Sequence, residues 1–168
     1  MKKILVLLSL ASLALMVTFS ACKKDEEEVV PDPIPTATIK GKVEANLNTA
    51  NDTTDTGGYQ LNMEIAPSTA KIIAIIDAAD LVDNPVAGYP YKTLTYTGAV
   101  DGSGNYTIAV PARGGNVNVT FMCVDFEYNT VIMDVYPLTT TERQTYSATP
   151  SGVPVVEGMI SYVDITYN

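Results

Sequence analysis

The chain has 168 residues, 10 basic against 19 acidic side chains, two Cys, and neither His nor Trp. Without the two lysines at the extreme N-terminus, 8 basic residues face 19 acidic ones, a net of −11 that repels nucleic acid and anionic headgroups. The absence of His removes Ser-His and Cys-His nucleophile pairs, a neutral-pH general base and the usual zinc ligands, so no enzyme, metal or cofactor is expected.

Met1-Lys2-Lys3 is a positive n-region, and Ile4 to Val17 is an apolar run of 14 residues. A spanning helix needs about 20 residues, so this length suits a secretory signal peptide over residues 1–21. Phe19-Ser20-Ala21-Cys22 resembles a bacterial lipobox, with Phe19 where Leu is more usual. The resemblance implies cleavage before Cys22 and acylation of its sulfur and new amino group, which anchors the chain stably. Lys23, Lys24, Asp25, Glu26 and Glu27 then resemble the export signal of Bacteroidetes-type lipoproteins, a Lys followed by acids. That resemblance implies a place on the outer face of the outer membrane, exposed at the cell surface. Taken alone, the same residues read as a solvated charged tether.

Residues 22–36 are acidic and then proline-rich (Pro31, Pro33, Pro35), a composition that buries no apolar surface. In polyproline II at about 3.1 Å per residue, the twelve residues from Asp25 to Thr36 hold a domain roughly 30–35 Å from the lipid. The folded unit is expected over residues 37–168, a length that buries roughly two-thirds of its unfolded surface.

From Ala37 the apolar period is two. Ile39, Gly41, Val43 and Ala45 alternate with polar residues, and so do Tyr59, Leu61, Met63 and Ile65. The same holds for Tyr106, Ile108 and Val110, for Val117, Val119, Phe121 and Cys123, and for Met159, Ser161, Val163, Ile165 and Tyr167. Each reads as a half-buried strand. Ile72 to Ile76 is apolar on both faces and is expected centrally in a sheet, while Thr93, Thr95 and Thr97 form an outward row. Turn chemistry separates these runs at Gly57-Gly58, Asp83-Asn84-Pro85, Asp101 to Asn105 and Gly114-Gly115, and Asp77 to Val82 suits a short helical turn. Seven to nine such strands predict an all-β antiparallel sandwich, transthyretin-like or immunoglobulin-like.

Ile39-Lys40-Gly41-Lys42-Val43, the stretch from Asp101 to Pro111, and Val117 to Phe121 resemble carboxypeptidase-regulatory-like or transthyretin-like modules. The match covers roughly Thr38 to Tyr128, with insertions around residues 46–58 and 77–92 that compact members lack. It implies a non-enzymatic sandwich used for spacing, assembly or binding.

Several residues could carry chemistry. Cys123 shares a face with Val119 and Phe121, so a buried thiol is expected. Asp101 to Asn105 looks like the start of a calcium loop, but the twelfth position is Ala112 where a bidentate Glu is needed, so a hairpin turn is expected. Asp77, Asp80 and Asp83 read as helix-capping and turn residues, the other reading being an oxygen-ligand calcium site. A two-carboxylate hydrolase would draw on these acids, although no spacing singles out a pair. Tyr89-Pro90-Tyr91 is the candidate ligand-binding loop, because Tyr supplies rigid apolar area and a hydroxyl. Asp52-Thr53-Thr54 resembles the O-glycosylation acceptor of Bacteroidetes-type exported proteins, making Thr53 a candidate. The expected function is a structural or accessory subunit of an outer-membrane, cell-surface assembly with a protein partner. The other reading is an extracellular module that binds glycan or another ligand.

Overall fold

The computed structural model describes residues 33–53, 56–134 and 138–168. The signal peptide, Cys22, and the export residues Lys23, Lys24, Asp25, Glu26 and Glu27 lie outside the described residues, and so does Thr54. Residues Ile34–Asn168 form one compact unit.

The organising strand is β1 (Thr36–Ala45), whose Ala37, Ile39, Val43 and Ala45 are fully buried on one side. β2 is the two-residue Glu64–Ile65, and β3 (Lys71–Asp77) is followed by a 3-10 turn at Ala78–Leu81. β4 (Thr93–Ala99), β5 (Asn105–Pro111), β6 (Val117–Val124), β7 (Phe126–Met133) and β8 (Thr139–Tyr146) come next. β9 (Ser151–Val155), β10 (Ile160–Tyr162) and β11 (Ile165–Tyr167) complete the described strands. The fold is an all-β sandwich of a five-stranded mixed sheet and a four-stranded sheet, with β7 and β8 as a two-stranded ribbon.

In the mixed sheet β5 pairs antiparallel with Thr36 to Lys42, and β2 continues on that side at Glu44 and Ala45. β10 and β11 lie on the other side and run parallel to β1. This departs from the all-antiparallel expectation: the last strands enter beside the first in the same direction. The eleven described strands exceed the expected seven to nine, because β2 is a fragment and the C-terminal strand is split. The split has a specific cause. The Val163 carbonyl turns inward to accept from the Tyr106 hydroxyl at 2.7 Å, while Val163 N donates to Lys40 O at 2.8 Å. A Cβ on Gly41 would sit 1.7 Å from that carbonyl oxygen, so only glycine fits here. The Asp164 carboxylate accepts from Lys42 N at 2.8 Å, and β11 resumes in the register of β10.

The second sheet has the order β4-β3-β6-β9, which puts β3 between two neighbours as its two-faced apolarity predicts. Ile72, Ala74 and Ile76 lie beside Val117, Val119, Phe121 and Val155 on the inner side of this sheet, where each large side chain removed from water contributes roughly 1.5–3 kcal/mol. Phe121 meets Tyr106 of the other sheet edge-to-face at 6.5 Å. The ribbon is fastened by an aromatic trio, with Phe126 stacked on Tyr146 at 5.3 Å and set against Tyr167 at 4.9 Å.

Three strand-level expectations need correction. Asp101 to Asn105 forms the tight turn, but its flanks are not a hairpin, because β4 hydrogen-bonds β3 while β5 hydrogen-bonds β1. The turn is a corner between sheets, and Gly98 allows the crossing, since a Cβ there would lie 2.6 Å from Ile108 Cγ1. The 59–65 alternation makes a strand only at Glu64–Ile65, leaving Tyr59 and Leu61 exposed. Its polar side is consumed by the preceding loop, as described below. Met159 is exposed at a turn, where its amide donates to Val156 O, and not in the C-terminal strand.

Candidate functional site

The Tyr89–Tyr91 loop grows out of β3. The Asp77 carboxylate caps the 3-10 turn by accepting from Ala79 N at 2.9 Å, which is the capping role expected of it. Gly88, at φ 78°, reverses the chain. The Tyr91 hydroxyl then accepts from Val86 N at 2.9 Å, and the two rings meet edge-to-face at 4.8 Å. The structure therefore brings the two tyrosines together with different duties: half-buried Tyr91 clasps the loop, and Tyr89, 61% exposed, presents one ring face. Val82 and Val86 flank it in solvent.

Thr53 is exposed and bridges Tyr59, whereas Asp52 beside it is buried. The Asp52 carboxylate accepts from Asn46 Nδ2 at 2.7 Å and Asn62 N at 2.8 Å. Glu64 accepts from Leu47 N, Asn48 N and Asn51 Nδ2 at 2.7–3.1 Å. These bonds hold the 46–52 loop against β2 and draw Asn62 and Glu64 away from solvent. The buried Oδ1 atoms of Asn46 and Asn48 have no donor among the described residues.

Cys123 is half-buried, not fully buried as its strand face predicted, because it lies near the end of β6 beside exposed Asp125. Burial still pushes its thiol up, with Asp125 adding to the shift and Tyr167 partly opposing it. A thiol so disposed resists becoming the reactive thiolate. Burial also raises the phenols of Tyr106 and Tyr167. Asp101 goes the other way: the N–H groups of Asn105 and Ser103 hold its carboxyl below the usual range. The same carboxylate oxygen serves both amides, at 2.9 and 2.8 Å. Among the described residues no three acidic or Cys side chains gather as a metal would need, and no helix is long and apolar enough to cross a membrane.

One surface escaped the sequence reading. On the outward side of the four-stranded sheet, Ile73 pairs with Met122 and Thr97, and Ile75 pairs with Thr120 and Thr95. Lys71 and Asp77 stand at the two ends of β3, with no charge between them on this face. Met122 is 50% exposed and Val124 41% exposed. The signal was present in Ile72 to Ile76, where inward Ile72, Ala74 and Ile76 leave Ile73 and Ile75 for the outside.

No known protein family and no curated protein matches this chain.

Proposed function

We propose that the chain is a non-enzymatic outer-membrane lipoprotein, acylated at Cys22 and carried to the cell surface by Lys23, Lys24, Asp25, Glu26 and Glu27. Its work is that of a structural or accessory subunit in a surface assembly. The observation that carries this reading is the uncharged Ile-Thr-Met face of the four-stranded sheet, on a chain with a formal net charge of −9. Solvent-facing sheets usually carry polar and charged residues, and an apolar one suits the flat surface of another protein. The finer fold assignment, a transthyretin-like or carboxypeptidase-regulatory-like module, belongs to the same proposal. It gains support from Gly41 and Tyr106, both within the resembling stretches, which meet at the Val163 carbonyl.

The test is mild cross-linking on intact cells, followed by purification of the tagged protein and mass spectrometry. A stoichiometric membrane partner is expected, and Met122→Glu should abolish its recovery while leaving the fold intact. Recovery of the protein alone would sink the assembly role. Cys22→Ala should release the chain from the membrane fraction.

The second reading, a glycan- or ligand-binding module, draws on the rigid presentation of Tyr89 by Tyr91. Tyr89→Ala would then cost ligand binding without loss of folding. Exposed Thr53 remains the proposed glycosylation site, checked by the mass of the peptide carrying it.

A further inference from the structure

The outer side of the mixed sheet holds a depression of about 290 Å³. Two rows of side chains line it across three strands. In the first, Lys40 of β1 stands in register with Tyr162 of β10 on one side and Thr107 of β5 on the other. In the second, Lys42 is in register with Asn105, and its amide is bound to the Asp164 carboxylate. Gly41 and Tyr106, whose side-chain positions face the core, contribute backbone between the two rows. With strands about 4.8 Å apart and alternate residues about 7 Å apart, the two rows cover the footprint of a small sugar.

The side chains differ in what they have left to offer. Lys42 Nζ is spent on Glu44 at 2.6 Å. The ammonium of half-buried Lys40 makes no hydrogen bond or ion pair with any described residue, so it keeps its donors. Asp164 uses one carboxylate oxygen on Lys42 N and keeps the other as an acceptor. Asn105 supplies an amide, Thr107 a hydroxyl, and Tyr162, 76% exposed, a ring. An exposed ring suits the apolar face of a pyranose, the hydroxyl and amide groups suit its hydroxyls, and a free ammonium suits a negatively charged substituent.

We infer that this depression, formed by Lys40, Tyr162, Thr107, Asn105 and Asp164, binds an acidic saccharide, with Lys40 holding its carboxylate or sulfate. The site lies on the outer face of the mixed sheet and uses neither the four-stranded face nor Tyr89, so it stands or falls apart from the assembly role.

Isothermal titration of the purified full-length protein with tetragalacturonate and with uncharged cellotetraose tests it. Tetragalacturonate should bind at least tenfold more tightly than cellotetraose at about 0.15 M salt, where the long-range repulsion of the chain's net negative charge is screened, and molar NaCl should narrow the gap by screening Lys40 as well. Tyr162→Ala should weaken binding at least tenfold with no change in melting temperature, because the ring is solvent-exposed. Lys40→Met should abolish the acid preference while the weaker saccharide binding survives. Tyr59→Ala, which removes an equally exposed ring elsewhere, should change nothing. Should Tyr162→Ala fail to fold, Asn105→Ala reads the same site from another strand. Three results would overturn the inference: no binding of either oligomer at millimolar concentration, equal affinity for both, or an equal loss in Tyr59→Ala.

Discussion

The two sheets share one inner logic and differ on their outer faces. Inside, alternate residues of β1, β5 and β11 meet those of β3 and β6 in one apolar core. Outside, the mixed sheet carries Lys40, Lys42, Glu44 and Asp164 with Thr107 and Tyr162, whereas the middle of the four-stranded sheet carries isoleucine, threonine and methionine. The core fixes only every second residue of a strand, and the remaining half is free to specify what the surface meets. One sheet uses that freedom for hydrogen-bonding groups and charge, the other for uncharged area. A single sandwich can therefore present two chemically unlike surfaces without altering its interior.

The largest expected effect pits one glycine from each sheet against the other. Gly41→Ala drives a Cβ into the Val163 carbonyl and should cost about 3 kcal/mol, the upper end of ordinary overpacking. Gly152→Ala meets only Val119 O, at 3.7 Å, and should stay within about 0.5 kcal/mol of the parent. Thermal melts of the two variants decide this, and equal losses would refute the difference in strand spacing. Next comes Tyr146→Phe, which strips the hydroxyl 2.6 Å from buried Thr130 Oγ1 and 2.7 Å from Asn46 O. It should cost about 2 kcal/mol. Hydrogen exchange should show the loss in β7, β8 and the end of β1, with the four-stranded sheet unmoved.

A milder perturbation is alkali. Tyr106 of β5 and Tyr167 of β11 keep their protons when folded at pH values where the unfolded chain, with phenols near 10, has released them. Their contribution is complete below pH about 10 and is lost as pH rises beyond it. Tyrosinate absorbance should show two rings ionising only as circular dichroism reports unfolding. The smallest effect concerns the corner between the sheets. The depressed pKa of Asp101 gives stability that is present above the ordinary carboxylate range and fades as pH falls through the folded value. Asp101→Asn should flatten the acid side of a stability-versus-pH curve, read from urea midpoints, with little change in its alkaline side.

Legibility followed the distance over which information had to travel. Ile39, Val43, Ile108 and Phe121 declared their faces because a strand's burial is written in its own alternation. Tyr59 and Leu61 show the same alternation and mislead, since Asp52 and Glu64 capture the intervening segment through contacts that no local pattern displays. The turn at Asp101 was readable from its Asx and Gly chemistry, but that chemistry is the same whether the chain returns to its own sheet or crosses to the other. Tyr89 and Tyr91 stood out as neighbours. Lys40 and Tyr162 are far apart in sequence, and only the parallel register of β10 on β1 joins them.

That parallel register also has a mechanical consequence. Because β1 and β11 run the same way, Thr36 and Tyr167 sit at opposite ends of the paired strands. A force drawing Ile34 away from Asn168 would slide β1 along β10 and β11 and stretch their cross-strand hydrogen bonds together instead of one after another. Loaded in that shear geometry, the sandwich should yield at a far higher force than the two-stranded ribbon of β7 and β8, whose antiparallel pairs can open singly from the open end.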